Sequence, residues 1–375
     1  MGTRTGETTP LGEAAGFDGG LVAIADRTWA WLQPNGGLGE SNAGLVIGDG
    51  AALLVDTLWD ERLTAAMLEA VVPACERAGA PLEHLFNTHG DGDHWYGNGL
   101  LGAGVEMTAS AAAIAQMRAE PPSMLTRLAP VGMLAGVVGR VPMLPWADRL
   151  RGLAGFGSML SAYEFGGIEP RVPEHPFDAE RTIDVGGRSV ELSFVGPAHT
   201  VGDAIAWVPD TRTVFAGDIL FNDVMPIMWA GPVGNWIVAL ERIEALEPAA
   251  VVGGHGPVGG VAEVGALRDY WTWLRGQVRD AGPDADLTAL SERLIGSSGF
   301  EPWREWRNPE RTLVNVHRIA ATERGGSSGI GTAERMKLIA AMGALAERLR
   351  CARAGPGPVE RKRPDECAKR GYRAP

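Results

Sequence analysis

Four apolar, strand-like segments of this 375-residue chain each end in a turn that carries histidine or aspartate beside glycine. The turns are "THGDGDH" (His89, Asp91, Asp93, His94), "GPAHT" (His199), "AGDIL" (Asp218) and "GGHG" (His255). Loops that follow strands can project from the same edge of a sheet, where sites are usually built. One shared site at a sheet edge is therefore the strongest expectation from this sequence.

The residue types in these turns indicate metal binding. Imidazole and carboxylate side chains are common ligands of zinc, iron and manganese. Glycines at positions 90 and 92 let the backbone curl, so that neighbouring side chains can converge. The first turn can direct His89 and Asp91 to one metal ion, and Asp93 and His94 to a second. Asp218 is placed to bridge the two ions, because a carboxylate has two oxygens.

The series resembles the motif of the metallo-β-lactamase fold superfamily, H-x-H-x-D-H followed by one histidine, a bridging aspartate and a final histidine. The resemblance extends over roughly residues 21–320. It implies an α/β fold, an αββα four-layer sandwich with the metal ions at the sheet edge. It also implies the ligand sets: His89, Asp91 and His199 at the first site, Asp93, His94 and His255 at the second, and Asp218 between them.

Asp91 departs from the family pattern, because it stands where the middle histidine is expected. A carboxylate there makes the first site harder and favours iron or manganese relative to zinc. Two alternatives remain open at this point. The first site is half empty and only the second holds a metal, or Asp91 supports a ligand instead of binding the ion itself.

The resemblance implies two divalent metal ions, with zinc expected and iron or manganese as alternatives. It further implies a hydrolase that uses a metal-activated hydroxide on an ester, thioester or lactone carbonyl, with Asp93 accepting or shuttling the proton. Some members of the superfamily are polyketide cyclases or thioesterases, and a similar role is one candidate. The competing hypotheses are an iron-dependent oxygenase on the same fold and a decayed, non-catalytic metal-binding protein.

The chain is expected to have one large domain with additions. Residues 1–18 are predicted to be a flexible lead-in, and residues 19–325 the catalytic domain. A Met-rich helical insertion at 111–170 is expected either to pack or to cap a pocket for an apolar ligand. Residues 326–375 are predicted to form a last helix, about 332–354, and a basic disordered tail.

Several residues near the turns are candidates for the walls of a substrate pocket. They are Trp95, Tyr96, Phe221, Asn222, Met225 and Trp229. Asp203 is expected to hold the His199 loop by hydrogen bonds, and Asp56 to play a similar supporting role. His175 lies in a Pro-rich stretch and is expected in a surface loop.

Composition excludes some classes of function. The formal charge of −12 argues against a nucleic-acid partner, and no uncharged apolar run reaches the ~18 residues of a membrane span. Three widely spaced cysteines and the lack of a secretory pattern at the N-terminus favour a cytoplasmic location. The expected partner is a small-molecule substrate, and the sequence carries no signal for an oligomeric state.

Overall fold

The computed structural model describes residues 2–126 and 147–353 of the chain. The strands of the first sheet are β1 Gly20–Ala25, β2 Thr28–Leu32, β3 Ala43–Ile47, β4 Ala52–Val55, β5 Leu82–Asn87, β6 Glu106–Ser110 and β7 His175–Phe177. Those of the second sheet are β8 Glu180–Val185, β9 Arg188–Phe194, β10 Ala204–Val208, β11 Thr213–Phe221 and β12 Ala250–His255. The helices are α1 Glu61–Ala78, α2 Ala111–Ala119, α3 Ala147–Leu160, α4 Val233–Ala245, α5 Val261–Ala281, α6 Leu287–Ile295, α7 Thr312–Glu323 and α8 Thr332–Arg353.

Each sheet has a simple strand order. The first sheet runs β1 to β7 in chain order, antiparallel as far as β4 and parallel from β4 to β7. The second sheet has the order β12-β11-β10-β9-β8, with β11 and β12 parallel and the other pairs antiparallel. The carboxyl ends of β5 and β12 are thereby free to meet between the sheets.

Alternating side chains divide the core into layers, as expected of strands with a period of two. In β4, Leu53 packs between the two sheets, whereas Leu54 packs under α1. In β11, Phe215 packs between the sheets, whereas Val214 joins the cluster formed by α4 and α5. The layers are therefore helix, sheet, sheet and helix, and the predicted αββα sandwich is confirmed.

Helix α1 shows how closely local sequence sets an element. Asp60 caps its first turn by accepting a hydrogen bond from the backbone N–H of Leu63 at 2.7 Å. Gly79 ends the helix with a φ of 63°. Cys75 of this helix is 4% exposed and belongs to the core.

The Met-rich insertion contains helices α2 and α3 in its described part, and residues 127–146 lie outside the described residues. Helix α3 packs so closely against α8 that no side chain larger than glycine fits at position 152. A Cβ there would lie 2.3 Å from the carbonyl oxygen of Ala340. The C-terminal helix thus joins the insertion. The predicted basic tail at 354–375 lies outside the described residues.

Two other segments complete the comparison with the sequence. In the lead-in, the backbone N–H of Gly6 donates to the carbonyl of Ala15 at 2.9 Å, and the flexibility of this segment stays a prediction.

The expectation of a loop at His175 is wrong, because His175 begins β7 and pairs with Thr108 of β6. A proline inside β7 is tolerated at this edge of the sheet.

No helix in residues 2–126 or 147–353 is long and apolar enough to cross a membrane.

Candidate metal centre

The first ligand loop follows β5 and is held in a tight turn. Gly92–His94 forms a 3-10 turn, and the side chain of Asn87 donates to the carbonyl oxygen of His94 at 2.8 Å. The turn lies against the ring of Tyr96, and a Cβ on Gly92 would be 2.5 Å from that ring. Glycine is therefore required here by close packing rather than by an unusual backbone angle.

Asp218 lies within β11 and not after its end, which corrects the sequence-based placement of this residue. The pairing of β11 with β12 shifts register around Gly217, whose φ is 50°. A Cβ on Gly217 would approach the hydroxyl oxygen of Thr88 to 2.5 Å. This local irregularity brings the Asp218 carboxylate against the first ligand loop.

The structure gathers ligand-type side chains from all four turns. Two groups have ligand atoms within 4.8 Å of one another: His89, His199 and Asp218, and Asp93, His94 and His255. Asp218 also connects the groups, because its Oδ1 is 3.2 Å from Nε2 of His94 and its Oδ2 is 3.2 Å from Nε2 of His199. The bridging position predicted for Asp218 agrees with these distances.

The separations between facing atoms match those of two ligands on one ion. Nε2 of His255 is 3.4 Å from Oδ2 of Asp93 and 3.5 Å from Oδ2 of Asp218. Two ligands bound at ~2.1 Å in tetrahedral geometry are about 3.4 Å apart. Nε2 of His89 is farther from Oδ2 of Asp218, at 4.0 Å.

Hydrogen bonds on the other side of the rings direct the histidines. Nδ1 of His199 donates to the carbonyl oxygen of Ile227 at 2.6 Å, and Nδ1 of His94 faces Oδ2 of Asp56 at 2.9 Å. With Nδ1 protonated, Nε2 presents a lone pair to the site. Nε2 of His89, Nε2 of His94 and Oδ1 of Asp218 are buried without a hydrogen-bond partner among the described residues. Such orphaned acceptors fit metal ions.

The charges within the cluster perturb one another strongly. Burial, together with the charge of the neighbouring His94, lowers the pKa of His89 to about 3. Burial opposes ionisation of His199, but the carboxylates of Asp218 and Asp91 raise its pKa to about 9. Burial likewise opposes the charge on Asp218, whereas His255 and His199 hold its pKa well below the usual range. The three aspartates are thus anionic at neutral pH, which suits a cation.

Asp91, the residue that departs from the family motif, is close to the cluster but outside its two tightest groups. Its Oδ2 lies 3.2 Å from Nε2 of His199, and its Oδ1 accepts a hydrogen bond from Nε2 of Gln116 at 2.9 Å. Burial raises its pKa, but the hydrogen bond with His199 and the charge of Arg335 lower it well below the usual range. Sequence analysis missed Gln116 and Arg335, which no local motif marks.

Asp56 and Asp203 support the ligand loops, as predicted. Asp56 accepts from the backbone N–H and the hydroxyl of Thr88, both at 2.7 Å. Asp203 accepts from the backbone N–H of Ala198 at 3.0 Å and from the hydroxyl of Thr200 at 2.7 Å. These bonds fix the loops that carry His89 and His199.

A cavity of about 790 Å³ opens onto the cluster. Among the predicted wall residues, Tyr96, Phe221 and Trp229 line it. The structure gives the other three a packing role instead. Trp95 and Met225 are fully buried, and the side chain of Asn222 donates to the carbonyl of Pro257 at 3.0 Å.

Much of the cavity wall comes from segments that carry no motif. Its apolar part includes Phe156 and Met159 of α3 and Met336, Ile339 and Met342 of α8. Described residues of the Met-rich insertion and of the C-terminal helix therefore line the same cavity. A cap role for the insertion stays a prediction.

Comparison with known proteins identifies the family. The sequence pattern of the metallo-beta-lactamase superfamily matches residues 36–255, which is more than half of the chain and includes every ligand-type residue of the cluster. The chain therefore belongs to the metallo-beta-lactamase superfamily, and the predicted family is confirmed.

Individual relatives are distant. A metallo-beta-lactamase type 2 from Bacteroides fragilis is 29% identical over 99 residues, a match that covers 24% of this chain and 38% of that enzyme. A double mutant of the sec-alkyl sulfatase PisA1 superposes with a TM-score of 0.59 at 16% identity, over 82% of this chain and 50% of that one. A metallo-beta-lactamase from Pontibacter korlensis gives a TM-score of 0.47 at 17% identity, over 67% and 98%. The superposition on the sulfatase supports the fold alone.

Proposed function

We propose that the chain is a metal-dependent hydrolase that holds two divalent ions, with zinc expected. The observation that carries this proposal is the set of buried imidazole nitrogens and carboxylate oxygens that face one another at 3.2–3.5 Å. One of these nitrogens, Nε2 of His94, has no hydrogen-bond partner among the described residues, and neither has Nε2 of His89 beside it. A cation can replace the second proton of these imidazoles, because Nδ1 of His94 and of His199 faces Asp56 and Ile227, which leaves Nε2 to face the carboxylates.

The residues divide between the two ions as follows. His89, Asp91 and His199 would hold the first ion, Asp93, His94 and His255 the second, and Asp218 both. Asp91 enters as a ligand because its Oδ2 has the same separation from His199 as Asp218 does. When bound, divalent ions supply Lewis acidity, which makes a water molecule nucleophilic at neutral pH and polarises the oxygen of the bond to be broken.

The chain's own side chains provide proton transfer and shape. Oδ2 of Asp93 faces His255 and His94, so Oδ1 is the oxygen left to accept a proton from the attacking water. The hydroxyl of Tyr96 donates to the carbonyl oxygen of Glu120 at 3.3 Å, which favours a packing role over donation to substrate. The apolar wall of α3 and α8 excludes water from the space beside the cluster.

The wall also supports a choice of substrate class. An ester, thioester or lactone of an apolar small molecule suits a cavity lined by methionine, isoleucine and phenylalanine, and a thioesterase-like or cyclase-like role falls within this class. A nucleic-acid substrate is disfavoured by the formal charge of −12. A cytoplasmic location remains part of the proposal.

Metal content per chain, measured by mass spectrometry on protein expressed without added metal, is the first test. Two zinc or manganese ions per chain are expected, together with turnover of at least one substrate in a panel of esters, thioesters, lactones, alkyl sulfates and β-lactams. A single iron with oxygen consumption would replace the hydrolase by an oxygenase. Metal-loaded protein that cleaves no member of the panel would remove the hydrolase proposal altogether.

A further inference from the structure

Arg311 is a buried arginine on the wall of the cavity. It ends the 3-10 turn Pro309–Arg311, directly before α7, and is 7% exposed. This position lies beyond residues 36–255, which match the superfamily. The feature therefore lies outside the part of the chain that the family pattern matches.

Two contacts hold the guanidinium beside the metal centre. Its Nη1 donates to the carbonyl oxygen of Met225 at 3.0 Å, and its central carbon lies 5.8 Å from the centroid of the Phe221 ring. The Phe221 ring also stacks on the ring of His255, one of the proposed ligands, with the ring centroids 5.2 Å apart and an interplanar angle of 4°. Burial lowers the pKa of Arg311, while the charges of Glu310, Asp218 and Asp93 raise it, so the guanidinium is within electrostatic reach of the cluster.

Arg311 is the buried arginine of the cavity wall that lacks an ion pair among the described residues, whereas Arg350, which also lacks one, is exposed. Arg304 pairs with Glu301, Arg307 with Glu13 and Arg335 with Glu120. Arg311 makes no ion pair with any residue of the described ranges, and its Nε and Nη2 make no hydrogen bond there. An arginine that is more than nine-tenths buried and retains its charge requires a compensating partner.

No carboxylate of the described residues supplies that partner by direct contact. Glu310, Asp218, Asp93 and Glu40 act on Arg311 only through space. Nε and Nη2 of Arg311 are thus left open on the cavity wall. A planar guanidinium with free nitrogens matches the two oxygens of a carboxylate, or of a related oxyanion, in a bidentate arrangement.

We propose that Arg311 binds an oxyanion group of the substrate, so that the enzyme selects amphipathic anionic substrates over neutral ones. The apolar portion of such a substrate contacts the α3 and α8 wall, and its anionic group contacts Nε and Nη2 of Arg311. This inference rests on the proposed hydrolase function. Arg335 is not the anchor, because it pairs with Glu120 at 3.0 Å and lies over the Trp229 ring at 5.1 Å.

A matched pair of esters tests the inference. 4-Nitrophenyl butyrate and the mono-4-nitrophenyl ester of succinic acid have the same leaving group and acyl length, and only the second carries a carboxylate. With Arg311→Gln, the KM for the succinate ester is expected to rise by about 10- to 100-fold, since a charge-assisted hydrogen bond is lost. The KM for the butyrate ester should change by less than about 2-fold. Arg77→Gln, on the exposed last turn of α1 and away from the cavity, is the matched control and should affect neither ester.

Two results would overturn the inference. Wild-type enzyme that cleaves both esters without preference shows that there is no oxyanion subsite. Arg311→Gln that loses activity on both esters by one factor shows that Arg311 only supports the Met225 loop. If the glutamine variant does not fold, Arg311→Lys keeps the charge without the fork, and it should lose about 10-fold on the succinate ester alone.

Failure of the proposed function is distinguishable from failure of this subsite. If wild-type protein cleaves neither ester, the hydrolase proposal is decided by the wider substrate panel, and binding of the two esters to the metal-loaded protein then tests the subsite by calorimetry. Tighter binding of the succinate ester, lost in Arg311→Gln, supports the oxyanion site. Equal affinity for both esters contradicts it. An oxyanion other than carboxylate is tested in the same assay with an alkyl sulfate of equal length.

Discussion

In the loop from Asn87 to Asn98, polar side chains are fixed mainly by contacts within the loop and with the strands beside it, as in the 2.8 Å hydrogen bond from Asn87 to the carbonyl of His94. The α3–α8 wall is assembled differently. There Arg151 and Glu347, 196 residues apart, form an ion pair at 3.2 Å. The comparison separates two halves of the site. In the catalytic half, the conformation of the first ligand loop is set by neighbouring residues. In the substrate half, the α3–α8 wall is formed by segments that are far apart in the sequence.

The two halves should therefore respond differently to substitution. Changes in the ligand loops should affect metal content and the turnover of every substrate. Changes in the wall should affect only the substrates that reach it. The predictions below test this separation.

The largest effect is expected for Asp218→Ala, because Asp218 lies within 3.5 Å of three histidines from three different turns. Loss of this bridging carboxylate should leave less than one metal ion per chain and lower kcat/KM by about 10³-fold or more. Metal analysis and ester turnover measure both effects. Asp284→Ala, on an exposed turn, is the control, and two retained ions in Asp218→Ala would contradict the bridging role.

A somewhat smaller effect is expected for Asp56→Ala. This change leaves Nδ1 of His94 and the backbone N–H of Thr88 without their partner. Metal affinity should fall by about 10- to 100-fold, and the free energy of unfolding of the metal-free protein by about 2–5 kcal/mol. Chelator competition and urea unfolding measure the two quantities. Asp49→Ala, which removes an exposed ion pair with Arg27, should change neither, and normal metal affinity in Asp56→Ala would refute the supporting role.

Gln116→Ala tests the unusual Asp91 from its far side. Because Nε2 of Gln116 holds Oδ1 of Asp91 at 2.9 Å, its loss should weaken the first metal site by about 10-fold and leave the second site intact. Stepwise chelation separates the two affinities. The control is Arg118→Ala on the exposed side of α2. Equal weakening of both sites would mean that Asp91 does not belong to the first site.

How much of the molecule can be predicted from sequence follows the same division. The ligand turns are recognisable because glycine, histidine and aspartate recur there at fixed spacing, and the last helix, expected at about 332–354, lies at Thr332–Arg353. Gln116 and Arg311 escaped notice because an isolated glutamine or arginine carries no spacing signal. The strand at His175 was missed because proline seldom occurs in strands, and only its place at the sheet edge permits it.

The smallest effect is expected on the wall, for Phe156→Ala. Phe156 is partly buried and lines the cavity from α3, so its removal should raise the KM for an octanoate ester by about 3- to 10-fold through lost apolar contact. The KM for an acetate ester, too short to need the wall, should not change, nor should the metal content. Phe156→Leu is the conservative control and should retain most of the affinity. If the KM rose by the same factor for both esters, α3 would influence the metal centre itself. The proposed separation between the catalytic half and the substrate half would then fail.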